Sequence, residues 1–125
     1  MIDHFGINVT DMAAASQFYD KVLGTLGHRR LMDFGQAIGY GTDQPNFWIS
    51  TFEGVGANRE MHVAFSASDA DHVRAFGEAA RDLGLEILHE PRIWPEYHDH
   101  YYAVFVRDTE GNNVEAVCHT ANEGD

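Results

Sequence analysis

Cysteine is almost missing from this 125-residue chain, with Cys118 the only one. An internal disulfide is therefore excluded, and a reducing compartment fits. Basic side chains are scarce too: 8 Lys and Arg stand against 20 Asp and Glu, a formal net charge of −12 with histidine neutral. A surface that acidic repels phosphate backbones and anionic lipid, which argues against nucleic-acid and membrane partners. No apolar run approaches the roughly 20 residues that a membrane helix needs. The N-terminus lacks a basic-then-apolar stretch, so no signal peptide is expected and the cytoplasm is the default location.

What is present is an ordinary globular composition, 44% apolar, enough for one domain with one core. Eight histidines in so short a chain raise the question of a metal. The organising feature is a repeat. His62 follows His4 by 58 residues, as Asp69 follows Asp11 and Phe76 follows Phe18, with the same apolar alternation between the anchors. Repeats are sought first because missing one miscalls the whole fold.

Each copy begins with period-two alternation, the mark of a half-buried strand. In the first, Phe5, Ile7 and Val9 face one way and His4, Gly6 and Asn8 the other. In the second, Val63, Phe65 and Ala67 oppose His62, Ala64 and Ser66. A capping residue follows, Thr10 or Asp11 and then Ser68 or Asp69, and each opens a helix. The helical stripes are Ala15, Phe18, Tyr19, Val22, Leu23 and Leu26, and Val73, Phe76, Ala80 and Leu83. Strands are expected at 29–34, 37–41 and 46–52, then at 85–90, 101–107 and 113–118. Residues 91–99 read as a loop. The chain is thus one domain, 1–125: a β-α-β-β-β module at about 1–53, a linker at 54–60, a second module at about 61–119, and a frayed polar tail at 120–125.

On the last strand, Val114 and Ala116 share one face and Glu115 points to the other. If the first pair packs on the helices, Glu115 joins His4 and His62 on the opposite side. Two imidazoles and a carboxylate from three strands suit a divalent cation and leave coordination positions open.

Several stretches together resemble the vicinal oxygen chelate superfamily, which includes glyoxalases, bleomycin-resistance proteins and extradiol dioxygenases. They are His4-Phe5-Gly6-Ile7-Asn8-Val9-Thr10-Asp11, Phe18-Tyr19, His62-Val63-Ala64-Phe65, and Arg107-Asp108-Thr109-Glu110-Gly111-Asn112-Asn113-Val114-Glu115-Ala116-Val117. The resemblance implies an α+β fold, two βαβββ modules forming a curled mixed sheet that cups a metal or ligand, with helices on the outer face. It implies His4, His62 and Glu115 as ligands to Zn, Ni, Mn, Co or Fe, a small-molecule substrate, and a homodimer in which modules can be exchanged. One departure stands out. The glyoxalase I pattern has a further carboxylate on the fourth strand, where this chain offers Trp48 and Ser50.

The function expected from this resemblance is a metal-dependent lyase, isomerase or dioxygenase-like enzyme. The alternative is a metal-free binding or sequestering protein of the bleomycin-resistance type. The segment from Trp94 to Tyr102 is dense in aromatic and titratable groups, and His100, Tyr102 and His98 are its acid–base candidates. Trp48, Ser50, Phe52, Trp94, Tyr97 and Asn113 are candidates to line the substrate pocket. His28, His72, His89 and His119 read as ordinary surface or packed histidines, and Cys118 as a small buried hydrophobe.

Overall fold

A computed structural model describes residues 2–52, 54, 56, 58–122 and 124–125. The linker expected at 54–60 therefore falls partly outside the described residues, as does part of the tail. The first module runs β1 (Phe5–Asn8), α1 (Met12–Gly24), β2 (Arg29–Asp33), β3 (Ala37–Gly41) and β4 (Pro45–Ser50). The second runs β5 (His62–Ser66), α2 (Ala70–Asp82), β6 (Ile87–Ile93), β7 (Tyr102–Arg107) and β8 (Asn113–Cys118).

The 58-residue repeat is a structural repeat. Asp11 caps α1 by accepting from the Ala14 amide, and Asp69 caps α2 by accepting from the His72 amide. Each short carboxylate satisfies a donor that the first helical turn leaves without a partner. Phe18 and Phe76 then occupy the same place on the buried stripe of each helix. Burying a side chain of that size is worth about 1.5–3 kcal/mol.

The modules form two four-stranded mixed sheets, ordered β1-β4-β3-β2 and β5-β8-β7-β6, and these do not close into a barrel. In each, the first strand runs parallel to the last, and the others pair antiparallel. The apolar faces of both sheets bury against the helices in one continuous core, with α1 packed on α2 and Phe47 edge-on to Phe65 at 5.1 Å.

A second, smaller apolar cluster lies on the other face of the second sheet: Trp94, Ala103, Phe105 and Val117. The first sheet carries glycines in the matching position. Gly6 and Gly39 flank Trp48 across the strands, and a Cβ on Gly39 would sit 2.8 Å from Trp48 Cζ2. The indole lies flat on that glycine.

Two expectations are corrected here. Residues 91–93 were expected in a loop, but β6 continues through Pro91 to Ile93. Pro91 has no amide to donate, yet β6 is an edge strand and its pairing with β7 is interrupted between His89 and Arg92, which removes the conflict. The tail is not loose at its start. The Ala121 amide donates to His100 O at 3.2 Å, and Ala121 is buried.

The turn between β7 and β8 ties the modules together. Asp108, 4% exposed, accepts from the Tyr19 hydroxyl of α1 at 2.7 Å and from the amides of Glu110 and Asn112. Asn112 in turn accepts from the Met61 amide at the start of β5, and Glu110 accepts from the Thr10 amide and hydroxyl.

Candidate functional site

Alternation on β8 puts Val114 and Ala116 in the core and turns Glu115 to the face away from the helices. Glu115 is 1% exposed, so its carboxylate depends on side-chain partners. His62 supplies one: its Nε2 lies 3.0 Å from Oε1. Tyr101 supplies the other, its hydroxyl donating to Oε2. The His62 ring is half exposed and stacks on Phe105 at 6.0 Å. Burial, and then the bond to Glu115, push the Tyr101 phenol well above the usual tyrosine range, so the hydroxyl keeps its proton.

Tyr101 is a site residue that the sequence reading passed over. Of the acid–base candidates His100, Tyr102 and His98, Tyr102 shares a face with Val104, and that is the helix face. Its hydroxyl accepts from Arg74 of α2 at 3.0 Å, and the Arg74 guanidinium covers its ring. His100 bonds through Nδ1 to Ala121 O and does not reach Glu115. His98 packs edge-on against the Tyr101 ring. Its Nε2 lies 2.9 Å from His119 Nδ1, so His119 has a partner that sequence spacing did not reveal. His89 likewise packs in the same cluster, edge-on to Trp94 and Phe105. The signal available for Tyr101 was period two itself, counted back from Phe105.

The pocket candidates divide. Trp94 is 8% exposed and donates its indole N–H to Ala103 O, with the Arg92 guanidinium 3.5 Å above its ring. Tyr97 is 60% exposed and leans on both Trp94 and Tyr101. Asn113 stands beside His62 in the β5–β8 register, and its Oδ1 is buried without a partner. Trp48, Ser50 and Phe52 belong to the other sheet or its end. Phe34 stacks parallel to Trp48 at 6.3 Å, and Phe34 and Phe52 are both exposed.

His4 does not join His62 and Glu115 within the chain. Its side chain is 63% exposed and bonds to Asp3 at 2.8 Å. Among the described residues, no three His, Cys, Asp or Glu side chains gather around one point. The sheet edges explain the separation. β1 and β5 are both edge strands. Asn113 N donates to Met61 O and Ala67 N to Val117 O, so the odd-numbered residues of β5 bond to β8. The amides and carbonyls of His62, Ala64 and Ser66 point to the unpaired side. They face a cavity of about 810 Å³ between the modules, whose far wall is Phe5, Tyr40, Phe47 and the end of α1.

The chain's sequence, from residue 1 to residue 116, matches the model of the glyoxalase/bleomycin resistance protein/dioxygenase superfamily. The chain belongs to that superfamily. No curated protein sequence matches it. Among solved structures, this superfamily member is similar to a glyoxalase/bleomycin resistance protein from Albidiferax ferrireducens, at 27% identity and a TM-score of 0.80, covering 92% of this chain and 95% of that one. A lactoylglutathione lyase from Agrobacterium tumefaciens shares the fold at 22% identity and a TM-score of 0.69, covering 94% and 92%. So does the fosfomycin resistance protein FosX from Mesorhizobium loti, at 19% and 0.68, covering 96% and 92%. No helix among the described residues is long and apolar enough to cross a membrane.

Members of the glyoxalase/bleomycin resistance/dioxygenase superfamily commonly use divalent metals, and the donors here fit one. An imidazole nitrogen and a carboxylate oxygen are the ligand types that first-row divalent cations take. His62 Nε2 and Glu115 Oε1 are hydrogen-bonded at 3.0 Å, close enough for one ion to take both in place of that bond, and Asn113 Oδ1 is a buried acceptor with no partner at the register position beside His62.

Proposed function

We propose that this protein is a metal-dependent enzyme of the vicinal oxygen chelate type, acting on a small substrate, with His62 and Glu115 of one chain and His4 of a second copy as the ligand set. The observation that carries the reading is the His62–Glu115 pair, 3.0 Å apart, with the carboxylate buried and the imidazole half open. The bound cation would supply Lewis acidity, holding two neighbouring substrate oxygens and stabilising an oxyanion.

The chain's own residues do the rest. Phe105 and Trp94 keep water from the base of the pair. Asn113 Oδ1 offers a substrate hydroxyl an acceptor, and Tyr97 offers an exposed ring at the rim. His98 packs against the ring of Tyr101, which holds Glu115, and is the candidate to move a proton.

A second copy is favoured because the buried Tyr19–Asp108 bond fixes the modules against each other, so a hinge does not bring His4 to His62. The unpaired edges of β1 and β5 are templates for a further strand. A homodimer joining these edges brings His4 of one copy toward the pair of the other and exchanges modules between the two sites.

The test mixes two variants. His4→Ala and Glu115→Ala are each expected to bind little metal. Co-refolded, they form heterodimers with one intact site, and metal content recovers to about a quarter of the wild-type value. No recovery on mixing overturns the shared site.

One observation favours a second reading, a metal-free module that sequesters flat apolar compounds: Phe34, 71% exposed, stacks parallel to the partly exposed Trp48. Quenching of tryptophan fluorescence by flat aromatic ligands, unchanged by a chelator, would support it.

A further inference from the structure

We infer that Tyr101 is the positioning residue that decides how Glu115 presents its charge: its hydroxyl holds Oε2 and leaves Oε1, the oxygen beside His62, to meet a cation. The inference rests on the metal reading above. A carboxylate can coordinate through one oxygen or through both. Here each oxygen has one donor, His62 on Oε1 and Tyr101 on Oε2. A cation can displace the His62 contact by taking both of its partners as ligands. Taking Oε2 as well would mean competing with the Tyr101 hydroxyl for that oxygen, inside a face lined by Phe105, Trp94 and Val117.

The Tyr101 ring is held from several sides. Tyr97 lies 4.8 Å away, and His98 and His119 meet the ring edge-on at 5.4 and 5.1 Å. The His98–His119 bond closes that grip at 2.9 Å. Its direction is fixed. The His100 amide donates to His98 Nδ1, so neutral His98 carries its proton on Nε2 and donates it to His119 Nδ1. The Tyr101 backbone is tied as well, accepting from Trp94 N at 2.7 Å and donating to His98 O at 3.2 Å. A phenol gripped in this way does not swing off the carboxylate when a ligand arrives. Single-oxygen binding by Glu115 leaves one more coordination position open, which a substrate offering two neighbouring oxygens needs.

Cobalt(II) titration of the full chain, read by visible absorption, tests this. Tyr101→Phe keeps the ring and removes one oxygen. Expected are cobalt binding weaker by about tenfold or more, the usual scale for a lost bond to a metal-binding carboxylate, and a weaker absorption band as Glu115 turns to two-oxygen binding. His98→Ala loosens the ring but keeps the hydroxyl; it should shift the spectrum in the same direction by less, and it decides the matter if Tyr101→Phe does not fold. His62→Ala is the control. Cobalt binding lost in His62→Ala but unchanged in affinity and spectrum in Tyr101→Phe overturns this inference alone. Binding that survives His62→Ala unchanged fails the metal reading and this inference with it.

Discussion

The Tyr19 hydroxyl donates a hydrogen bond to Asp108 at 2.7 Å, joining the first helix of one module to the last hairpin of the other. Burial, and then the neighbouring Asp108 charge, hold the Tyr19 phenol well above its ordinary range, so the donor keeps its proton at any working pH. Tyr19→Phe leaves a buried carboxylate one donor short. Chemical denaturation should show a loss of about 1–3 kcal/mol. A loss too small to measure would mean that the modules hold together by apolar packing alone.

The glycines that face Trp48 and the β3–β4 turn should not tolerate a methyl group equally. A Cβ on Gly39 meets Trp48 Cζ2 and Pro45 Cβ, both at 2.8 Å, and side chains can give a little. A Cβ on Gly41 meets the Gln44 carbonyl oxygen, and backbone cannot give without remaking the turn. Gly39→Ala should cost about 1–3 kcal/mol and move Trp48 fluorescence. Gly41→Ala should cost more. Equal stability of the two would contradict this packing.

Stability should fall on mild acidification, partly through His28. Burial lowers the pKa of this imidazole, and its buried Nδ1 has no partner. The unfolded chain therefore takes up the proton first. The His28 contribution is complete above the unfolded value of about 6.5 and is lost as pH falls toward the lower folded value. His28→Gln should flatten the stability profile between pH 7 and 5. A profile parallel to wild type would assign the dependence to other histidines.

The two tryptophans should report different surroundings. Trp94 is 8% exposed, whereas Trp48 is only partly covered. Acrylamide should quench Trp94→Phe, which keeps Trp48, more strongly than Trp48→Phe. Protection of Trp48 that disappears on dilution would show a second copy covering that face.

Much of this architecture is legible in the sequence because repeats and period-two runs are local. The spacing of His4, Asp11 and Phe18 against His62, Asp69 and Phe76 marks both modules, and both aspartates are the helix caps. Alternation also says that Tyr101 and Tyr102 point opposite ways. It does not say which of the two faces the helices; the structure turns Tyr102 to them and Tyr101 to Glu115. His98 and His119 meet across the sheet end at a separation that no local pattern encodes.

The chain by itself determined its two modules, its caps, its buried stripes and the face of β8 on which Glu115 stands. Those depend on backbone periodicity and side-chain polarity over a few residues. Only the tertiary structure decided that Glu115 is held between His62 and Tyr101 while His4 stands apart, just ahead of β1. Which strands become neighbours is settled by how the two sheets pack through their helices, and that packing leaves β1 and β5 as unpaired edges.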